Sequence, residues 1–432
     1  MKPTRLLLLG LALIQGARAA EPTAPPPCLE VSTRDNRVEL IADDRQNGAW
    51  ILQTSTNLQN WSNISSSFHV RNRLRPLSPG PKYEVPSGKR YFRMIPAPST
   101  PAATKEQMLN LPAIRYPYAT LAMQSLSAAR LSSRASISDA QAELGRVLFY
   151  DRRLSKDNSI SCASCHKQEN SFADSGALST GHRGGLSRRN SVAPLEVLAY
   201  GTGGKIFWDG RGKTLDQAVL EPIADSVEMG MPLDQLVKKL GQEPYYAALF
   251  GAAFDTPGIT KEKIGAALAD FLEALPRFNS RYDQMMTGRA TFTASEQAGY
   301  TIFKANCQAC HLPNSSKTQF ENNGLEMEYA DKGLGGITGL ASDNGKFKVS
   351  SLREVSETAP YMHDGRFKTL REVINHYSEG VVTHPNLGSF LRTKGRLHLS
   401  ETQKQQLEDF LKTLTDPEVA TNPAFSDPFR KD

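Results

Sequence analysis

Two short stretches decide how this 432-residue chain is read: Cys162-Ala163-Ser164-Cys165-His166 and Cys307-Gln308-Ala309-Cys310-His311. In a C-x-x-C-H run the two thiols can add across the vinyl groups of haem, and the adjacent histidine reaches the iron from the same turn. Zinc competes for such residues, but a structural zinc site closes with four ligands. Each unit here offers three, and the two units lie far apart in sequence. The pattern predicts two covalently bound haem c groups, attached through Cys162, Cys165, Cys307 and Cys310, with His166 and His311 as iron ligands. Four of the five cysteines are used in this way, which leaves Cys28 alone and excludes a disulfide framework. Cys28 does not directly follow a lipoprotein-like small-residue motif and reads as a buried or free thiol.

Upstream of the first unit the chain changes character several times. Residues 1–20 read as a secretory signal: Lys2 and Arg5, an apolar run from Leu6 to Ile14, then Ala17-Arg18-Ala19 as the cleavage site. That run is too short to span a bilayer, and no later segment is long and apolar enough to do so. Export to the periplasm follows as an expectation. The formal charge of +6 comes from scattered lysines and arginines, so nothing reads as a nucleic-acid stripe. Residues 28–96 hold short β-branched and aromatic segments (Val38–Ile41, Trp50–Thr56, Lys82–Val85, Arg90–Met94) between turn-rich stretches. They predict a small all-β module, similar to immunoglobulin- or fibronectin-like appendages. His69 stands alone there and is read as a surface residue. Residues 97–135, rich in Pro, Ala, Ser and Thr, read as a linker.

Helical signals dominate beyond residue 135. Ser138 with Gln141 caps a helix carrying Leu144, Val147 and Leu148 on one face. Ile264, Leu268, Phe271, Leu272 and Leu275 mark a second, ended by Pro276. Ser295 opens a third that runs into Cys307, and Ser400 with Gln403 caps a fourth with Leu407, Phe410, Leu411 and Leu414. Long Gly- and Asn-rich loops connect them, and loops of that length usually wrap something. The expected fold is mainly α, with two cytochrome c-like haem domains at 136–290 and 291–416.

The surroundings of the motifs carry a resemblance over about residues 136–416. Gly145-Arg146-Val147-Leu148-Phe149-Tyr150-Asp151, Phe207-Trp208-Asp209-Gly210-Arg211 with Glu228-Met229-Gly230, and Ser351-Leu352-Arg353 with Thr358-Ala359-Pro360-Tyr361-Met362-His363-Asp364-Gly365 follow in order. The chain thus resembles the bacterial di-haem cytochrome c peroxidase and MauG family. The resemblance implies a peroxidatic first haem and an electron-transfer second haem, with Trp208 between them. It implies Glu228, twenty residues after Trp208, as the distal acid that shuttles a proton in peroxide cleavage. The glutamine often found ten residues after that tryptophan is Ala218 here, with Gln217 one step earlier. His182, sixteen residues after His166, matches the histidine that caps the first iron at rest in many of these peroxidases. Its loop, Gly181-His182-Arg183-Gly184-Gly185, is suited to movement.

On the far side of the second haem, family peroxidases usually carry a methionine fourteen residues after the histidine of the third block, and MauG a tyrosine. This sequence has Tyr377, on the stripe Leu370, Val373, Ile374, Tyr377, and a helical period turns His376 about 100° away. Tyr377 is therefore preferred over His376 as sixth ligand. A tyrosine ligand favours ferric iron, whereas methionine raises the potential. The resemblance also implies a calcium ion held by Asn190, Thr358 and Pro360, partly through backbone oxygens. The expected activity is reduction of hydrogen peroxide to water with electrons from a small cytochrome c or cupredoxin. A MauG-like oxidase acting on aromatic residues of a partner protein, and a non-catalytic di-haem electron carrier, are the alternatives. The sequence leaves the oligomeric state open, a homodimer included.

Overall fold

A computed structural model describes residues 109–429 apart from 113, 127–136, 195–204, 213, 257, 276–278 and 312–318, with backbone alone at 123–126 and at six strands between 28 and 96. The signal-like segment, Lys82–Val85 and the side chains of Cys28 and His69 lie outside the described residues. The chain divides into two compact units, 1–102 with 111–115, and 103–110 with 116–432. In the first unit, Cys28–Arg34 pairs antiparallel with Arg37–Asp43, from Cys28 opposite Asp43 to Arg34 opposite Arg37. A second sheet is built on Gly48–Ser55, which pairs antiparallel with Ser62–Asn63, Phe68–Val70 and Tyr91–Pro96.

The second unit is mainly helical, and two helix pairs organise it. Helix Asp139–Tyr150 starts where the sequence places it, with the Ser138 hydroxyl accepting from the Gln141 N–H. It packs along helix Lys261–Glu273 and buries Leu144, Val147, Leu148, Leu268 and Phe271. At the crossing Gly145 is pressed so closely on its partner that an added Cβ would lie 1.9 Å from the Ala267 carbonyl oxygen. Helix Ala294–Asn306 pairs in the same manner with Glu401–Lys412. There a Cβ on Gly299 would lie 1.9 Å from the Gln406 carbonyl oxygen. Phe303, Leu407 and Phe410 fill that core, each worth roughly 1.5–3 kcal/mol of burial. Each first helix of a pair leads into its C-x-x-C-H unit, which is how the chain delivers both motifs to the edge of a helical core.

Three expectations shift. The third helix begins at Thr293, whose capping box with Glu296 precedes the expected Ser295; both residues fit the cap chemistry, but Thr293 has the acid three residues on. The segment read as a linker contains helix Tyr118–Leu126, with Tyr118 fully buried. Its composition hid it, because what holds it is a distant partner: the Tyr118 hydroxyl donates to the Ala424 carbonyl at 2.7 Å. Residues 417–429, beyond the expected last domain, run back over the first helix pair. Arg146 and Tyr150 donate to carbonyls of Pro423, Ala424 and Phe425, Gln168 donates to Val419 and Asn422, and Phe425 is fully buried against Tyr118 and Phe271.

Candidate functional site

Each C-x-x-C-H unit opens onto a cavity. The first, about 430 Å³, is walled by Cys162, Cys165, His166, Trp208, Glu228 and the apolar side chains Phe149, Leu268 and Leu272. The second, about 210 Å³, is walled by Cys307, Cys310, His311, Trp208, Tyr377 and apolar residues such as Leu370, Ile374 and Leu407. Both histidines are held alike. His166 Nδ1 donates to the Phe172 carbonyl at 3.1 Å, and His311 Nδ1 to the Ser350 carbonyl at 2.9 Å. A carbonyl only accepts, so each Nδ1 carries the proton and each Nε2 keeps its lone pair, the tautomer an iron ligand needs. Burial lowers both imidazole pKa values, which further favours the neutral ring. Burial pushes the thiols of Cys162 and Cys307 up to about 12. Among the described residues no group of three or more His, Cys, Asp or Glu side chains forms a metal cage. Paired thiols, a lone-pair-bearing histidine and an apolar cavity fit haem.

The two cavities share a wall made by Asn190, Ser191, Val192 and Trp208. The indole is fixed there: Trp208 Nε1 donates to the Asn190 carbonyl at 2.9 Å, and the Trp208 carbonyl accepts from the Lys348 N–H at 2.8 Å. Next to them Arg189 clamps Asp209 at 2.5 Å and grips Asp331 through Nε and Nη2 at 2.6 and 2.8 Å. Sequence reasoning passed over Arg189; a charged residue one step before an expected ligand was the only signal available.

Glu228 enters the first cavity half-buried, from the turn that follows Asp225. Burial raises its carboxyl pKa, the Asp225 charge adds to this, and Arg211 opposes it. Ala218 lines the same cavity, whereas Gln217 does not. The structure does not bring His182 to the cavity lining. Its backbone N–H donates to the Glu228 carbonyl at 2.8 Å, Nε2 lies 3.3 Å from the Ser226 carbonyl, and the ring rests where a Cβ on Gly230 would fall. Its buried Nδ1 is without a hydrogen bond, 3.5 Å from Asp157 Oδ2.

Tyr377 and His376 diverge as their positions suggest, although the helix changes form between them and the cavity. Helix Leu370–Asn375 passes into a wider π turn, His376–Gly380. Tyr377 lines the second cavity, with its phenol pushed up to about 12 by burial and its hydroxyl beside Asn323. His376 is absent from that lining, and its Nε2 donates to the Asn323 carbonyl at 3.0 Å. Asn190, Thr358 and Pro360 all reach the second cavity wall. The Asn190 amide nitrogen donates to the carbonyls of Gly176 and Ala177, which leaves its side-chain oxygen as the group for another partner.

Similar proteins carry the same architecture. The model of the di-haem cytochrome c peroxidase family matches residues 139–291. A MauG methylamine utilization protein of Methylorubrum extorquens is 33% identical over 288 residues, which is 65% of this chain and 80% of that protein. The chain belongs to the di-haem cytochrome c peroxidase and MauG family. A cytochrome c551 peroxidase of Nitrosomonas europaea is 32% identical over 285 residues, 63% of this chain and 79% of the relative. The crystal structure of a MauG-like protein associated with microbial copper homeostasis superposes with a TM-score of 0.61 at 34% identity, covering 68% of this chain and 94% of that one. As a member of this family the protein is an oxidoreductase of the peroxidase type with haem cofactors. Among the described residues no helix is long and apolar enough to cross a membrane.

Proposed function

We propose that the protein is a periplasmic di-haem peroxidase that reduces hydrogen peroxide to water with single electrons from a small cytochrome c or cupredoxin. The observation that carries this is the pair of cavities with Trp208 in their common wall, the first of them lined by Glu228 with its carboxyl raised by burial. Cys162, Cys165 and His166 would hold one haem, Cys307, Cys310 and His311 the other. When bound, haem supplies an iron for peroxide and one-electron redox chemistry at each site. Glu228 takes a proton from the peroxide and returns it to the departing oxygen, a role suited to a carboxyl whose pKa is raised toward neutrality. Trp208 offers its indole as the aromatic bridge between the sites, held in register by Asn190. Tyr377 lines the second site and would serve there as an iron ligand, so Tyr377→Met is expected to raise that site's midpoint potential in a reductive titration. Asn190, Thr358 and Pro360 would hold a calcium ion beside the bridge, and chelation is expected to slow electron passage between the sites. His182 would reach the first iron only after its loop moves away from Gly230.

Steady-state oxidation of a reduced small cytochrome c by peroxide tests the reading. Absence of turnover, with and without prior reduction and calcium, would sink it. The rival reading, a MauG-like oxidase of aromatic residues in a partner protein, is favoured by Tyr377 and by Ala218 in the cavity wall where a glutamine is common. It predicts peroxide-dependent modification of a partner with little cytochrome c oxidation. Two haem domains at 136–290 and 291–416 would follow the paired strands between 28 and 96.

A further inference from the structure

The carbonyl that orients His311 belongs to Ser350, and four residues later the same segment ends on Glu354. Glu354 points the other way, into the turn that orients His166. Its Oε2 accepts from the Ser171 hydroxyl at 3.2 Å, and Ser171 immediately precedes Phe172, whose carbonyl holds His166 Nδ1. Both side chains of that contact are buried, Glu354 at 1% exposure and Ser171 at 1%. We propose that Glu354 is a positioning residue for His166, reaching it from the segment that positions His311.

The turn needs such a support. Ser171 and Phe172 are both non-glycine residues in the left-handed region, at φ 49° and 64°, a conformation that persists only where neighbours over-determine it. Besides the Lys167–Asp174 ion pair across its ends, two groups from elsewhere in the chain are bonded to this turn through side chains. The Gln168 amide donates to the Val419 and Asn422 carbonyls at its start, and Glu354 receives Ser171 at its end. Glu354 is in turn fixed on three sides. Its Oε1 accepts from the Asp416 N–H at 2.8 Å, and its own N–H donates to the Leu414 carbonyl at 3.2 Å. Its neighbour Arg353 grips Asp283 with both terminal nitrogens, at 2.9 and 2.8 Å. Burial pushes the Glu354 carboxyl up to about 8, against the Asp416 N–H that favours the ion. Near neutral pH it is therefore mostly a hydrogen-bonded acid that can also donate. A shift of this segment changes the bond that sets His311 and the bond that sets His166 together. The donor strength of a metal-bound histidine depends on that bond.

The inference rests on the reading that His166 and His311 hold iron, and it is independent of which substrate is consumed. It is tested on the full-length di-haem protein by reductive titration, with visible absorption and electron paramagnetic resonance resolving the two haems. Ser171→Ala and Glu354→Ala are expected to raise the midpoint potential of the His166 haem and move its resonance positions, because a looser Phe172 carbonyl leaves the imidazole a weaker donor. Ser171→Ala should leave the His311 haem unchanged. Glu354→Gln should stay near wild type, since an amide can still accept from Asp416 and pair with Ser171. Wild-type potential and resonances for the His166 haem in both alanine variants would overturn the proposal. Should Glu354→Ala fail to take up haem, Ser171→Ala decides alone. A wild-type protein without histidine-ligated haem would overturn the underlying reading, and this one with it.

Discussion

Glu228 and Glu354 are both carboxyls raised by burial, yet one faces a cavity and the other is sealed in packing. The difference sets what each substitution does. Glu228→Gln keeps the shape of the cavity wall and removes the proton shuttle, so peroxide turnover is expected to drop about 10²–10⁴-fold with haem content unchanged. The acidic limb of the wild-type rate profile should lie above the ordinary carboxyl value of 4.5, because the proton-accepting form appears only above the raised value. For Glu354 the consequence is on stability. Its folded-state value of about 8 exceeds the ordinary 4.5, so the folded protein holds the proton more tightly. That contribution is complete below 4.5 and is lost as pH climbs through about 8, at most about 1.4 kcal/mol per pH unit. Urea midpoints should therefore fall between acidic and mildly alkaline pH, and Glu354→Gln should flatten the fall. The haem-attaching residues were legible because their chemistry is local: two thiols and a histidine within five positions. Glu354, Phe172 and Ser350 were not, since a backbone carbonyl leaves no mark in sequence and the Glu354 contact joins residues 183 apart.

At the level of elements, the helices that sequence reasoning found are the ones with caps and apolar stripes of their own: Ser138 with Gln141, and Ser400 with Gln403. Helix Tyr118–Leu126 escaped because its anchor is tertiary. The glycines at the two crossings were equally unreadable, as nothing local demands them. Their role makes a sharp prediction. Gly145→Val or Gly299→Val places atoms on a facing carbonyl and forces the pair apart, at a cost of about 1–3 kcal/mol or more. Thermal melts of each variant check this, with Gly251→Ala as the control, since open space surrounds an added Cβ there.

Across the whole unit, Trp208 and its neighbours form a partition between two cavities, and residues 417–429 tie the end of the chain to its first helix pair. The twofold motif announced two sites; the shared wall is visible only once loops far apart in sequence meet. Phe425 is where the tail contributes most apolar burial, wedged among Tyr118 and Phe271. Phe425→Ala is expected to cost about 3–5 kcal/mol in urea unfolding, with the loss felt first around His166 rather than His311.

That tail also orders the protein's assembly in time. The Cys162 motif is made early, but the bonds that fix Gln168 beside it reach residues 251 and 254 positions further along the chain. Throughout that interval the second helix pair can close on itself, since its Gly299–Gln406 crossing and the Arg353–Asp283 grip are complete by residue 412. The half of the chain that emerges first is thus the half that finishes second. A polypeptide cut short before residue 417 is left without the bonds that Val419 and Asn422 make to Gln168, beside its earlier motif.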